Sequence, residues 1–131
     1  MGVTLILIIH FNLALAHHLL YLEADTESGI TDFDKERYFE KAVQLYELAY
    51  RSHLDHGNLR LAMLVSNNLG QIHRVAGNQT EHELWLHNLL RVFVCVVEWD
   101  LVDTVLDQTE FDGLCHNVSP TMLTSICAPA A

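Results

Sequence analysis

An all-α chain built from antiparallel helix pairs is what this sequence predicts, and three observations lead there. Leu61, Val65, Leu69, Ile72 and Val75 step by four, four, three and three, which places them on one face of a helix. Tyr38, Ala42, Leu45, Tyr46, Ala49, Tyr50 and His53 share one side of a second helix. Gly70 stands inside the first of these helices, where a glycine costs roughly 1 kcal/mol relative to alanine. Something must offset that cost. Ala62, Ser66, Gly70 and His73 form a second face whose first three members are small, so a neighbouring helix can approach more closely than the usual ~8–10 Å range favours.

The elements follow in order. Leu5 to Leu22 is apolar on nearly all sides and reads as a buried helix, although its isoleucine-rich start also fits a strand. Glu23 to Asp34, with Gly29 and five acids, reads as a solvated loop, with attachment of a basic partner as its functional alternative. The amphipathic helix Lys35 to His53 comes next, then Asn58 to Val75. Gly77-Asn78 supplies a helix stop and tight turn. A fourth helix is expected from Thr80, as N-cap with Glu83 three residues on, through Leu84, Leu86, Leu89, Leu90 and Phe93. One unit spans 1–107, and the weakly patterned residues 108–131 are expected to form a loose, acidic to apolar tail.

Composition narrows the function classes. The chain has 131 residues, half of them hydrophobic, which suits a single core-forming domain. Seventeen Asp and Glu against seven Lys and Arg leave no basic field for a phosphate backbone, so nucleic acid is not expected as a partner. Arg91 is the last basic residue apart from histidine, and Glu98, Asp100, Asp103, Asp107, Glu110 and Asp112 follow it.

Cys95, Cys115 and Cys127 are odd in number and match no close zinc or redox spacing, so they read as reduced thiols in a reducing, cytoplasmic setting. The opposing signal is "VTLILIIHFNLALA", where Ala14-Leu15-Ala16 looks like a secretory cleavage site. No Lys or Arg precedes that run, and His10 and Asn12 interrupt it, so cytoplasmic placement is expected and secretion is the alternative. The run reads as too short and too polar for a membrane span. The triplets Asn78-Gln79-Thr80 and Asn117-Val118-Ser119 matter only in a secreted chain and do not decide between the two.

The four helices form two pairs, and the pairs can be aligned: Leu13 with Leu69, Ala14 with Gly70, His17 with His73. Ala42, Tyr46 and Ala49 stand on the second helix of the first pair, and Gly77 closes the turn of the second pair. This pattern resembles the tetratricopeptide repeat. The resemblance implies two degenerate repeats, about 5–53 and 58–93, stacked as a short α-solenoid. It also implies a sixteen-residue insertion in the first turn, because Ala14 and Ala42 are twenty-eight steps apart where the family has twelve. His82 stands where a small residue should face Gly70, Leu89 replaces the later alanine, and the closing proline is missing. Two pairs are fewer than the three repeats usually needed, so the chain reads as a fragment, a truncated product or one end of a larger array.

Catalytic chemistry finds little support. His17-His18, His53-His56 and His82-His87 lack the four-residue spacing and nearby carboxylate of a helical zinc site, so no metal is expected. Ser28-Gly29 and Cys115-His116 lack a placed base, and no phosphate-binding glycine loop occurs. No cofactor and no catalytic residue is expected; a small secreted or luminal helical protein with a cleaved signal, or a helical metal-binding protein, is the alternative. What the resemblance implies is a non-catalytic scaffold holding another protein or peptide in a groove lined by first helices. Carried over through Gly70, the groove positions are Leu64, Asn67, Asn68, Gln71 and Arg74; through Ala14 they are Ile8, Phe11, Asn12, Leu15 and His18. Ile6, Ile8, Ile9 and Phe11 add an expectation of self-association.

Overall fold

The protein is described by a computed structural model over residues 2–26, 29–56 and 58–98, together with 109 and 112–113. Helix α1 runs Gly2–Glu23, α2 Asp32–His56, α3 Leu59–Val75 and α4 Gln79–Glu98, with no strand among the described residues. The isoleucine-rich start of α1 is therefore helix. Each helix packs on the next, α1 on α2, α2 on α3 and α3 on α4, which makes two helical hairpins stacked in sequence.

Local chemistry explains where the helices begin and stop. Thr31 and Asp34 form a reciprocal cap at the start of α2: the Thr31 hydroxyl donates to Asp34 Oδ2 at 2.7 Å, and the Asp34 amide donates to Thr31 Oγ1 at 3.1 Å. Those hydrogen bonds hold the Asp34 carboxyl below its ordinary value. Asn58 caps α3, its Oδ1 accepting from the Leu61 amide at 3.0 Å. At the far end of α3 the amides of Gly77 and Asn78 donate to the carbonyls of Arg74 and His73, a Schellman closure that requires the positive φ of 79° at Gly77.

Several expectations are corrected. The loop between α1 and α2 is shorter than 23–34, since Glu23 ends one helix and Asp32, Phe33 and Asp34 open the other. The extra residues of the first pair lengthen its helices to 22 and 25 residues rather than filling a solvated insertion. Acidic side chains favour a helix N-terminus, which is why an acid-rich stretch that reads as loop starts a helix instead. Ala24 is buried, and Lys35 pairs with Asp25 across the turn. Thr80 is not the cap of α4. The helix starts at Gln79, whose side chain donates to Glu83 at 2.7 Å. Helix α4 also runs past Phe93 to Glu98, and Val96 joins the core.

The core sits where α1, α2 and α3 meet. Ala14, Tyr21, Ala42, Tyr46, Ala49, Val65, Leu69 and Ile72 form one buried cluster, edged by Phe11, Phe39, Tyr50 and Trp85. Complete burial of Leu69 and Ile72 contributes roughly 1.5–3 kcal/mol each. Val75 leaves the α3 stripe and is exposed, and Ala76 packs in its place. The other face of α3 is buried too: Ser66 and Gly70 meet α4, as their small size leads one to expect, while the His73 ring packs edge-on against Phe39 of α2 with centroids 5.5 Å apart. Leu84 of α4 is exposed.

Helix α1 differs most from expectation. It is not buried on all sides: Leu7, Ala14, His18 and Tyr21 face inward, while Leu5, Ile6, Ile8, Ile9, Leu13, Leu19, Leu20 and Leu22 are each 39–59% exposed. One covering helix shields one side of a helix, and α2 is the only one packed broadly on α1 among the described residues. The expectation that this run is too short and too polar for a membrane is corrected as well. Leu5–Glu23 is long and apolar enough to cross one by length and composition. The expected tail 108–131, with Cys115 and Cys127, lies outside the described residues apart from 109 and 112–113.

Candidate functional site: a cleft between the first helices

The first helices of the two pairs, α1 and α3, bound an open cleft of about 360 Å³. Leu7, Ile8, Phe11 and Asn12 line it from α1, and Arg60, Leu61 and Leu64 from α3 together with its cap Asn58. Four of the expected groove positions, Ile8, Phe11, Asn12 and Leu64, are therefore brought together. The floor is set by packing: Phe11 meets the Tyr46 ring edge-on, with centroids 5.9 Å apart, and Leu61 lies against the core. Five of the eight lining residues are apolar, and the polar ones are Asn12, exposed on α1, and the Asn58 cap with Arg60 at the start of α3. Such a surface suits apolar side chains of a ligand plus a few oriented hydrogen bonds.

The remaining α3 groove positions lie elsewhere. Asn67, Gln71 and Arg74 line a narrow crevice of about 20 Å³ between α3 and α4, with Ser66, Gly70, His82, Leu86 and Leu89. That space holds about one water molecule. Asn68 is half-buried and turned to α2, where its Nδ2 donates to the Tyr46 hydroxyl at 3.3 Å. His18 is buried and does not present its ring to the groove. Its Nδ1 lies 3.1 Å from the same Tyr46 hydroxyl. With Asn68 donating to Tyr46, the tyrosine hydrogen goes to His18, so the imidazole is assigned as neutral with its proton on Nε2. Desolvation lowers the His18 pKa and pushes that of Tyr46 well above its ordinary value, which keeps both groups uncharged.

The repeat-signature positions divide similarly. Ala14, Ala42, Tyr46, Ala49, Leu69 and Gly70 are all buried, and His73 is 6% exposed. Asn78 Nδ2 donates to His73 Nδ1 at 3.2 Å, and burial lowers the pKa of that ring also. His17 is half-buried, its ring 6.3 Å from that of Tyr38. Leu13 is the departure: its counterpart Leu69 is fully buried against α2, whereas Leu13 is 47% exposed.

A polar hub not anticipated from the sequence fixes the α3 wall. Asn88 of α4 accepts from the Tyr50 hydroxyl of α2 at 3.0 Å and donates to Ser66 Oγ of α3 at 2.8 Å. Ser66 in turn donates to the Ala62 carbonyl at 2.6 Å. Trp85 meets Tyr50 edge-on at 5.2 Å beside it. Nothing in the spacing of Asn88 marks it, because a single asparagine on a helix reads as surface. The sequence did carry signals for Asn58 and Arg60: Asn58 precedes the first apolar step of α3, and Arg60 lies one turn before Leu64.

A second crevice, of about 420 Å³, runs along α2 beside His17. Asp34, Glu40, Arg37 and Lys41 line it with charges of both signs, as on an ordinary hydrated helix face. Among the described residues no group of three or more His, Cys, Asp or Glu is arranged to hold a metal. Cys95 is half-buried and unbridged. No family model, curated protein or solved structure matches the chain.

Proposed function

We propose that the chain is a non-catalytic interaction module, related in plan to the tetratricopeptide repeat, that binds a segment of another protein in the α1/α3 cleft. The observation carrying this reading is the cleft itself: an open, mainly apolar space between the first helices of two stacked hairpins, with Asn12, Asn58 and Arg60 among its lining. The burial of Ala14, Ala42, Tyr46, Ala49, Leu69 and Gly70 at helix contacts supports the repeat plan. The ligand is a peptide or helix carrying two or three apolar side chains. In this reading neither nucleic acid nor a cofactor takes part, and the cytoplasm is the compartment. The expected second group, Asn67, Gln71 and Arg74, lies outside this cleft, in the α3/α4 crevice.

Selection of peptides from a random library on the full chain, followed by amide hydrogen exchange, tests the proposal. Bound peptides are expected to protect the cleft-lining stretches of α1 and α3, and Leu64→Asp is expected to weaken them at least tenfold with helical circular dichroism unchanged. Retained affinity in Leu64→Asp, or protection confined to other surfaces, overturns it.

A second reading has one observation in its favour, the length and apolarity of Leu5–Glu23. In that reading α1 serves as a secretory signal cleaved after Ala16, which removes every α1 residue that lines the cleft. The mass of the mature N-terminus decides between them.

A further inference from the structure

We propose that the outer face of α1 is a homodimer interface, in which two copies pack α1 against α1 in antiparallel fashion about a two-fold axis. The face is identified by register. Setting Leu13 on Leu69 places Leu5, Ile9, Leu13, Ala16 and Leu20 on Leu61, Val65, Leu69, Ile72 and Ala76. Those α3 residues belong to or pack against the core shared with α2. In α1 the equivalent strip faces outward, with Leu5 59%, Ile9 47%, Leu13 47% and Leu20 39% exposed. The strip is thus built like a surface that a helix covers.

Three observations select a second copy as the cover. First, no Asp, Glu, Lys or Arg occurs from Gly2 to Leu22, so pairing the face with itself buries no charge. Second, the strip is self-complementary when reversed. An axis between positions 12 and 13 sets Leu5 against Leu20 of the other copy, Ile9 against Ala16, and the two Leu13 side chains together, large residues meeting small at Ala16. Third, the apolar surface is continuous along the strip: Leu5, Ile9, Leu13 and Leu20 are each 39–59% exposed, with exposed Ile6 beside them, so a second α1 can lie along its length. Head-to-tail stacking of α4 on α1 is less favourable. The α4 positions equivalent to the α3-facing side of α2 begin with Gln79 and Glu83, so that contact brings a carboxylate onto an uncharged helix.

Sedimentation equilibrium of the full chain tests the inference. The expected species is a dimer at micromolar concentration. Leu13→Asp, which brings two carboxylates together at the axis, is expected to shift it to monomer with helical circular dichroism preserved. Leu5→Lys alone is also expected to give monomer, and the double variant Leu5→Lys/Leu20→Glu to restore the dimer through opposed charges. A monomeric wild-type chain, a dimer indifferent to Leu13→Asp, or failure of the double variant to recover each overturns it. So does binding of the monomer to phosphatidylcholine vesicles in place of dimerisation. Leu5, Leu13 and Leu20 do not line the α1/α3 cleft, so this test and the peptide test fail independently.

Discussion

The His82 ring on α4 donates from Nδ1 to the carbonyl oxygen of Gly70 on α3 at 2.8 Å. That bond is why an interior glycine and a histidine face one another where a repeat of small residues would have put alanine. The close helix contact leaves the Gly70 carbonyl within reach of the crossing helix. The imidazole spans the gap that a smaller side chain would leave.

This geometry predicts opposite outcomes for two substitutions. A Cβ at position 70 would lie 3.8 Å from Trp85 Cβ and 3.9 Å from His82, which is ordinary contact. Gly70→Ala is therefore expected to be neutral or to stabilise by up to about 1 kcal/mol through helix propensity. Gly70→Leu has no room between Trp85 and His82 and is expected to cost about 1–3 kcal/mol or more. Thermal melts of both variants check this. A loss in Gly70→Ala comparable to that in Gly70→Leu contradicts it.

Acid is expected to weaken the fold before carboxylates protonate. His18 and His73 both have folded-state pKa values below the ordinary 6.5, chiefly through desolvation. His18 is faced by uncharged Tyr46. Around His73, Glu81 and Glu47 raise the value and His82 lowers it. Below pH 6.5 the unfolded chain binds protons that the folded chain refuses, so stability is full above neutrality and falls as pH drops through 6.5. The melting temperature should decline from pH 7.5 to 5.5, and less steeply in His18→Gln. A flat wild-type profile, or equal slopes, counts against these two rings.

The helices and their faces were legible because burial on one side imposes a period of three and four. That is why the core residues Ala42, Tyr46, Leu69 and Gly70 were found. Lengths were harder, since Asp32 and Asp34 look like loop in sequence yet suit the first turn of α2 electrostatically. The exposed face of α1 was misread because hydrophobicity reports what could be buried and says nothing of what is available to bury it. Within the cleft, Ile8, Phe11, Asn12 and Leu64 were found through register. His18 was misplaced because the same register cannot tell a groove position from one bonded beneath it to Tyr46.

Tyr46→Phe should show that the bond beneath the cleft is structural. It removes the hydroxyl between His18 and Asn68 without changing the ring that Phe11 packs against. Two polar groups lose their partner in a largely buried setting, so a loss of about 1–3 kcal/mol is expected. Chemical denaturation measures it, and a change below a few tenths of a kcal/mol would falsify the assignment.

Asn88 gives the sharpest test of how the hairpins are joined. Its amide bridges Tyr50 on α2 and Ser66 on α3 from a position on α4, so it holds three helices at once. Asn88→Ala is expected to cost about 1–3 kcal/mol, because the groups left behind are partly buried. Tyr50→Phe removes only one arm and should cost about 0.5–1.5 kcal/mol. In the double variant that arm is lost once and not twice, so the combined loss should fall short of additive by about 0.5 kcal/mol or more. Strict additivity in a double-mutant cycle would mean that the two residues act separately, and that the packing of Trp85 on Tyr50 aligns the hairpins without the polar hub.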